Sequence, residues 1–354
     1  MARVQAIVEA GISQVPSQYV QPPSSRPYIS EQDSALDGRV SSDEDIVEIP
    51  VIDLSLSRAA LRKVIGDACC EWGAFHVVNH GVPIELLDEI RRVGQCFFQD
   101  CTMEEKLQYS CDPNSPFASQ GYGTKMLVSD ADSSNVLDWR DYFDHHTLPL
   151  SRRNPSRWPH IPRSYRETIS SYSDEMNALA KRLLSLVSES LELPSKCIED
   201  EVGEIYQNIT ISYYPPCPQP DLTLGLQPHS DMGAISLLIQ DEVPGLQILK
   251  NSKWITVQPS PHSIIVLLSD QTEIITNGKY RSSEHRVITN RDKPRLSVAT
   301  FHDPQPSRKI SPISDLVSDS FPLKYKEVKY GDYVSSWYTK GPEGRRNLDA
   351  LRIQ

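Results

Sequence analysis

The chain has little that would attach it to a membrane or to a nucleic acid. No stretch of its 354 residues approaches the roughly 18 uninterrupted apolar residues of a membrane span. The opening "MARVQAIVEAGISQVPSQYVQPPSSRP" also lacks a basic start followed by a long apolar run, so a cytoplasmic address is the expectation. Basic residues fall short of acidic ones, 36 Lys+Arg against 47 Asp+Glu for a formal charge of -11. Such a chain does not seek nucleic acid by charge, and a small-molecule partner fits better. Seven cysteines (Cys69, Cys70, Cys96, Cys101, Cys111, Cys197 and Cys217) form no paired framework and no repeated C-x-x-C. That excludes a disulfide scaffold and leaves reduced thiols as the expectation. The 38% of hydrophobic residues still suffices for a large core, in one elaborated domain or two that share an interface.

What is present changes texture along the chain. Residues 1–45 mix a short amphipathic stretch, a Pro/Ser cluster and the start of an acidic run, the composition of an arm laid over a body. Residues 46–160 read as mixed and largely helical. "IPVIDLS" and "AFHVVNHGVP" are strands there, while "RAALRKVIGDACCEWG" and "IELLDEIRRVGQCFFQ" have helical spacing. A backing region at 161–206 holds a long helical pattern from Ser164 to about Glu192, with Leu179, Leu183, Leu184 and Val187 on one stripe and Pro194 to stop it.

From 207 to 306 the pattern becomes eight short alternating segments separated by Pro, Gly and Asn-Gly turns, which predicts an antiparallel sandwich or jelly roll. Residues 307–354 form a C-terminal segment, with a helix, that covers the site. The expected class is therefore α+β with a mostly β core.

Within the core, His229 and Asp231 share one side of a strand, and so do Arg295, Ser297, Ala299 and Phe301. Alternation alone does not say which side faces inward. A lone His-x-Asp is weak, but His285 on another strand completes a set of two histidines and one carboxylate. Ferrous oxygenases use that set to keep coordination positions open. Ligand count leaves zinc open. Arg295 with Ser297 favours iron, because a guanidinium and a hydroxyl match the far carboxylate of a diacid that chelates the metal at its other end. The bland alternative makes His285 a satisfied core histidine and Arg295 a surface cation.

The segments "WGAFHVVNHGVP", "YYPPCPQPDLTLGLQPHSDMGAISLLIQDEVPGLQIL" and "SSEHRVITNRDKPRLSVATFHDP" resemble, in order, the plant 2-oxoglutarate and iron(II)-dependent dioxygenases, such as anthocyanidin synthase, flavonol synthase and jasmonate-oxidase-like relatives. The likeness covers roughly residues 48–340. It implies a double-stranded β-helix, Fe(II) held by His229, Asp231 and His285, and 2-oxoglutarate held by Arg295, Ser297 and Tyr214, with ascorbate as reductant. It also implies dioxygen and a small metabolite as substrates, oxidised by hydroxylation, desaturation or demethylation with release of succinate and carbon dioxide, in a monomer.

Phe301 falls where relatives stack an aromatic substrate. Tyr142, Phe143, Thr210 and Trp337, together with "GYGTKM" (Gly121 to Met126), are the remaining candidate walls. Thr210 stands where some relatives that handle acids carry a cation, and Trp337 and Tyr338 stand where those relatives have Arg. That favours a neutral or phenolic substrate over a jasmonate-type acid. Ser212 departs from the usual Asn of "N-Y-Y-P", and Ser269-Asp270 departs from "G-D-Q". Two other readings stay open: an iron oxidase of the same fold that does not use 2-oxoglutarate, and a metabolite-binding barrel without turnover.

Overall fold

The computed structural model describes residues 2–27, 48–112, 120–124, 136–340 and 346–353. Most of the arm beyond residue 27, and Lys125 and Met126 of the "GYGTKM" wall, lie outside the described residues. Among the described residues no helix is long and apolar enough to cross a membrane, and no disulfide joins the seven cysteines.

The first helix, α1 (Val4–Glu9), is pinned by the body beneath it. Both oxygens of buried Asp141 accept its opening N–H groups, from Val4 at 3.0 Å and Gln5 at 2.9 Å, which satisfies donors that a helix start leaves orphaned. Then follow β1 (Val51–Asp53), α2 (Arg58–Glu71), β2 (Ala74–Val78), α3 (Ile84–Gln95), α4 (Met103–Leu107), β3 (Gly121–Gly123), β4 (Asp141–Leu148), α5 (Tyr165–Ser190) and α6 (Cys197–Val202).

The eight expected core strands are β5 (Ile205–Tyr214), β6 (Leu226–His229), β7 (Ile235–Gln240), β8 (Leu246–Lys250), β9 (Lys253–Thr256), β10 (Ile264–Leu268), β11 (His285–Val287) and β12 (Arg295–Pro304). A one-and-a-half-turn helix, α7 (Asp270–Ile275), joins β10 to β11. The chain closes with β13 (Lys309–Ile310), β14 (Val328–Lys329), α8 (Tyr330–Lys340) and α9 (Arg346–Asp349).

Two sheets face each other in the jelly roll. The larger has eight strands in the order β1-β2-β10-β7-β12-β5-β4-β3, and the smaller has four in the order β6-β11-β8-β9. The N-terminal region thus contributes four strands to the large sheet and is less helical than its sequence suggests. Strand β4 went unseen because "DYFDHHTL" is buried on both faces, so neither an alternating nor an all-apolar pattern marks it.

The long helix α5 lies against the large sheet, and its predicted stripe, Leu179, Leu183, Leu184 and Val187, is at most 3% exposed. Truncating any one of these leucines should cost about 2–5 kcal/mol. The inward side of the strands is fixed by α3: a Cβ added at Gly94 would lie 3.0 Å from Ile211 and 3.2 Å from Leu296. Ile209, Ile211, Leu296 and Val298 therefore face the helices, and Thr210, Ser212, Tyr214, Arg295 and Ser297 face the smaller sheet.

Candidate metal centre

His229 ends β6 and His285 begins β11, and these antiparallel strands put the two residues directly opposite each other. Their rings sit with centroids 4.2 Å apart. Asp231, two residues on, folds back so that its Oδ1 is 3.5 Å from His229 Nε2 and 3.7 Å from His285 Nε2. One ligand atom from each of the three lies within 4.8 Å of the others, and all three side chains are buried.

The Nδ1 atoms are already committed, to the Gln227 carbonyl at 2.8 Å and the Ser283 carbonyl at 3.0 Å. With each Nδ1–H donating to a carbonyl, the Nε2 lone pairs are left for a cation. The loop carrying Asp231 is braced from behind, since the Asp270 N–H donates to the Asp231 carbonyl at 2.9 Å and Asp270 in turn accepts the Tyr333 hydroxyl of α8 at 2.5 Å.

Electrostatics agree with a site that trades protons for a cation. Burial pushes Asp231 up, but the two histidines outweigh it and hold its carboxyl down at about 2. Burial, then neighbouring His229, depresses His285 to about 4. Burial also works against the charged form of His229, yet Asp231 beside it raises its pKa.

Beside this trio, the two sheets close on Arg295 and Tyr214, which pair across β12 and β5. A Cβ at Gly245 would lie 2.7 Å from Arg295 Cδ, and one at Gly225 would lie 2.6 Å from the Tyr214 ring, so only glycine permits this approach. The Arg295 guanidinium stands 5.1 Å above the Tyr214 ring. It donates to Gln240 Oε1 at 2.9 Å and to the Val243 carbonyl at 3.2 Å, while its Nη1 is buried with no partner. An unpaired buried guanidinium N–H costs free energy unless a ligand satisfies it, and a carboxylate is its natural acceptor. Ser297 lies on the same face, one pair along, opposite Ser212 and Gln240. The donor set therefore fits a divalent metal and a diacid together.

The outer wall is only partly as expected. Tyr142, Thr210 and Phe301 lie on the inward face, in register with Ser212, Asp144 and Asn208 respectively. Phe143 does not. It is fully buried on the helix side, edge-on to Phe97 at 5.2 Å and 4.6 Å from the His145 ring, because adjacent strand residues point to opposite faces. Tyr142 and Phe143 therefore do not form one wall, because only Tyr142 shares the inward face. Trp337 on α8 is buried and packs edge-on against Tyr338 at 5.4 Å.

Residues that were not expected also join the inward face. Thr210 donates to Asp144 Oδ1 at 2.7 Å, and His146 lies 3.6 Å from its other oxygen. Burial, then the charge of Asp231, lifts Asp303 to about 7. Burial, then the charges of Asp144 and Asp303, raise the Tyr338 hydroxyl. The Arg295-to-Phe301 parity extends to Asp303, and parity would have found Asp144 too had β4 been seen.

Two histidines and one carboxylate gathered in a jelly-roll core are a donor set that suits a non-haem metal centre. Residues 206–304 match the 2OG-Fe(II) oxygenase superfamily, and residues 49–161 match the N-terminal family described as non-haem dioxygenase in morphine synthesis. Jasmonate-induced oxygenase 4 of Arabidopsis thaliana is 39% identical over 99% of this chain and 96% of its own length. Leucoanthocyanidin dioxygenase of Malus domestica is 36% identical over 94% of each. A crystal structure of JOX2 in complex with 2OG, Fe and JA superposes with a TM-score of 0.89 at 36% identity, covering 100% of this chain and 98% of that one.

The chain belongs to the 2OG-Fe(II) oxygenase superfamily. It is a 2-oxoglutarate- and Fe(II)-dependent dioxygenase, an oxidoreductase of small plant molecules, and the two other readings left open by the sequence are set aside.

Proposed function

We propose that His229, Asp231 and His285 hold the iron, that Arg295, Ser297 and Tyr214 hold the far carboxylate of 2-oxoglutarate, and that Tyr142, Thr210, Phe301 and Trp337 shape the space for the molecule oxidised. The observation that carries this reading is the gathering of three donor atoms within 4.8 Å beside a buried guanidinium with a spare N–H. When bound, metal and co-substrate supply the activation of dioxygen, with release of succinate and carbon dioxide. The chain's own part is to fix the imidazole tautomers through Gln227 and Ser283, to orient the diacid through Arg295, and to exclude water.

The substrate is a small neutral or phenolic metabolite. JA occupies the JOX2 crystal structure, so a jasmonate-type acid is the natural competitor. Here such an acid would meet Asp144, on which the Thr210 hydroxyl is already spent. Like charges at close range in a buried setting disfavour binding. The acidic balance of the chain supports small-molecule partners over nucleic acid, and a cytoplasmic monomer with ascorbate as reductant completes the proposal.

The test is anaerobic addition of Fe(II) and 2-oxoglutarate to the protein, which should produce the visible charge-transfer absorption of a 2-oxo acid chelating ferrous iron. Oxygen is then admitted with a panel of flavonoids, coumarins, terpenoids and hormone acids, following succinate and product mass. Succinate formed in step with a neutral or phenolic product supports the reading. Turnover of hormone acids alone would overturn the substrate class, and no absorption would overturn the site.

A further inference from the structure

Arg140 immediately precedes β4 and shares the parity of Tyr142 and Asp144, the inward set. It is 5% exposed. Its Nη1 donates to Ser212 Oγ at 3.3 Å, and its guanidinium carbon stands 5.4 Å from the centre of the Tyr142 ring. Its Nε is buried with no hydrogen-bond partner, since the nearest carboxylate, Asp138 Oδ2, is 4.0 Å away and beyond hydrogen-bonding reach. A guanidinium has five N–H donors and is charged at any working pH, so a buried one this poorly satisfied is incomplete without an outside acceptor.

Its position says which acceptor. Ser212 pairs across the sheet with Ser297, one step from the Tyr214–Arg295 pair. On its other side, Asp138 accepts the Gln227 N–H at 3.0 Å, and the Gln227 carbonyl holds Nδ1 of His229 at 2.8 Å. The Arg140 head thus adjoins a strand neighbour of the far-carboxylate grip on one side and, by way of Asp138 and Gln227, the surroundings of the metal trio on the other. The short Ser212 side chain leaves room for a guanidinium there.

We infer that Arg140 holds the metal-bound end of 2-oxoglutarate, its unused N–H groups donating to the 1-carboxylate while Arg295 holds the 5-carboxylate. This rests on the site reading above, and it gives the chain two guanidinium grips on one co-substrate. Anaerobic titrations of the Fe(II)-loaded protein with 2-oxoglutarate, and with pyruvate, which lacks the far carboxylate, separate the two.

Arg140→Met should weaken both ligands by the same factor, roughly 10- to 100-fold, with Fe(II) affinity unchanged and Arg140→Lys in between. Arg295→Met should weaken 2-oxoglutarate and leave pyruvate alone. The inference is overturned if Arg140→Met leaves both dissociation constants unmoved and raises only the KM of the oxidised substrate. It is equally overturned if Asp138→Asn reproduces the Arg140→Met losses, or if those losses come with lost iron, because Arg140 is then a structural partner of Asp138. Absence of the charge-transfer absorption in the parent protein overturns the site reading and this inference together, whereas an absorption indifferent to Arg140→Met overturns this inference alone.

Discussion

The two faces of the same strands do different work. On the outward face of β4, β5 and β12 lie Phe143, His145, Ile209, Ile211, Val298 and His302, all fully buried against helices and aromatic rings. On the inward face lie Arg140, Tyr142, Asp144, Ser212, Arg295 and Ser297, almost as buried but polar, and two of these guanidiniums keep an N–H without a partner. One face packs against the helices with mostly apolar and aromatic side chains, while the other gathers the charged and hydroxyl groups that suit ligands. Changes on the inward face should therefore remove function and spare the fold, and changes on the outward face should do the reverse.

The largest inward effect belongs to the metal trio. Asp231→Ala should abolish iron-dependent turnover and iron retention while the far-ultraviolet circular dichroism of the protein stays that of the parent. Full activity in that variant would break the assignment of the inward face. The largest outward effect belongs to Phe143. Phe143→Ala should cost about 3–5 kcal/mol of stability, read from urea midpoints, and leave the substrate KM at the parent value. A raised KM without lost stability would return Phe143 to the pocket.

Acid should also act through the outward face. Burial depresses His145 and His302 to about 4, each neutral beneath the helices. The unfolded chain takes up these protons near pH 6.5 and the folded one only near 4. Stability is thus full above about 6.5 and falls as pH drops through that window, by up to about 3 kcal/mol for each histidine. Urea midpoints at pH 7 and pH 5 should show the loss, and His302→Gln should flatten it. A pH-independent midpoint would mean that these histidines take up protons as readily in the fold as in the unfolded chain.

How much of this was legible in the sequence follows from the same contrast. The core strands were readable because their turns carry Pro, Gly and Asn-Gly, and because β5 and β12 alternate with one apolar face. The candidate ligands were readable because a metal and a diacid demand particular side chains, so His229, Asp231, His285 and Arg295 carry their chemistry in their residue types. Strand β4 was not readable, since burial on both faces removes the period-2 signal. With β4 went Arg140 and Asp144, and the error over Phe143. Nor can spacing reveal that α8 reaches back to Asp270 through Tyr333, a contact between residues far apart in the chain.

The smallest expected effect tests the far end of the inward face, where shape and charge choose the substrate. Asp144 accepts from Thr210 and lies 3.6 Å from His146, so its carboxylate contributes to the charge that an incoming molecule meets. Asp144→Asn keeps the volume and the Thr210 hydrogen bond but removes one negative charge. Competition between a carboxylate-bearing substrate and its methyl ester should then shift toward the acid by roughly 3- to 10-fold in kcat/KM, the size of one screened charge pair at this range. The Kd for 2-oxoglutarate should stay put, because that co-substrate is gripped at the other end. If the acid gains nothing, charge at Asp144 does not select the substrate and the preference resides in shape alone; if 2-oxoglutarate binding moves as well, the two ends of the face are not separable.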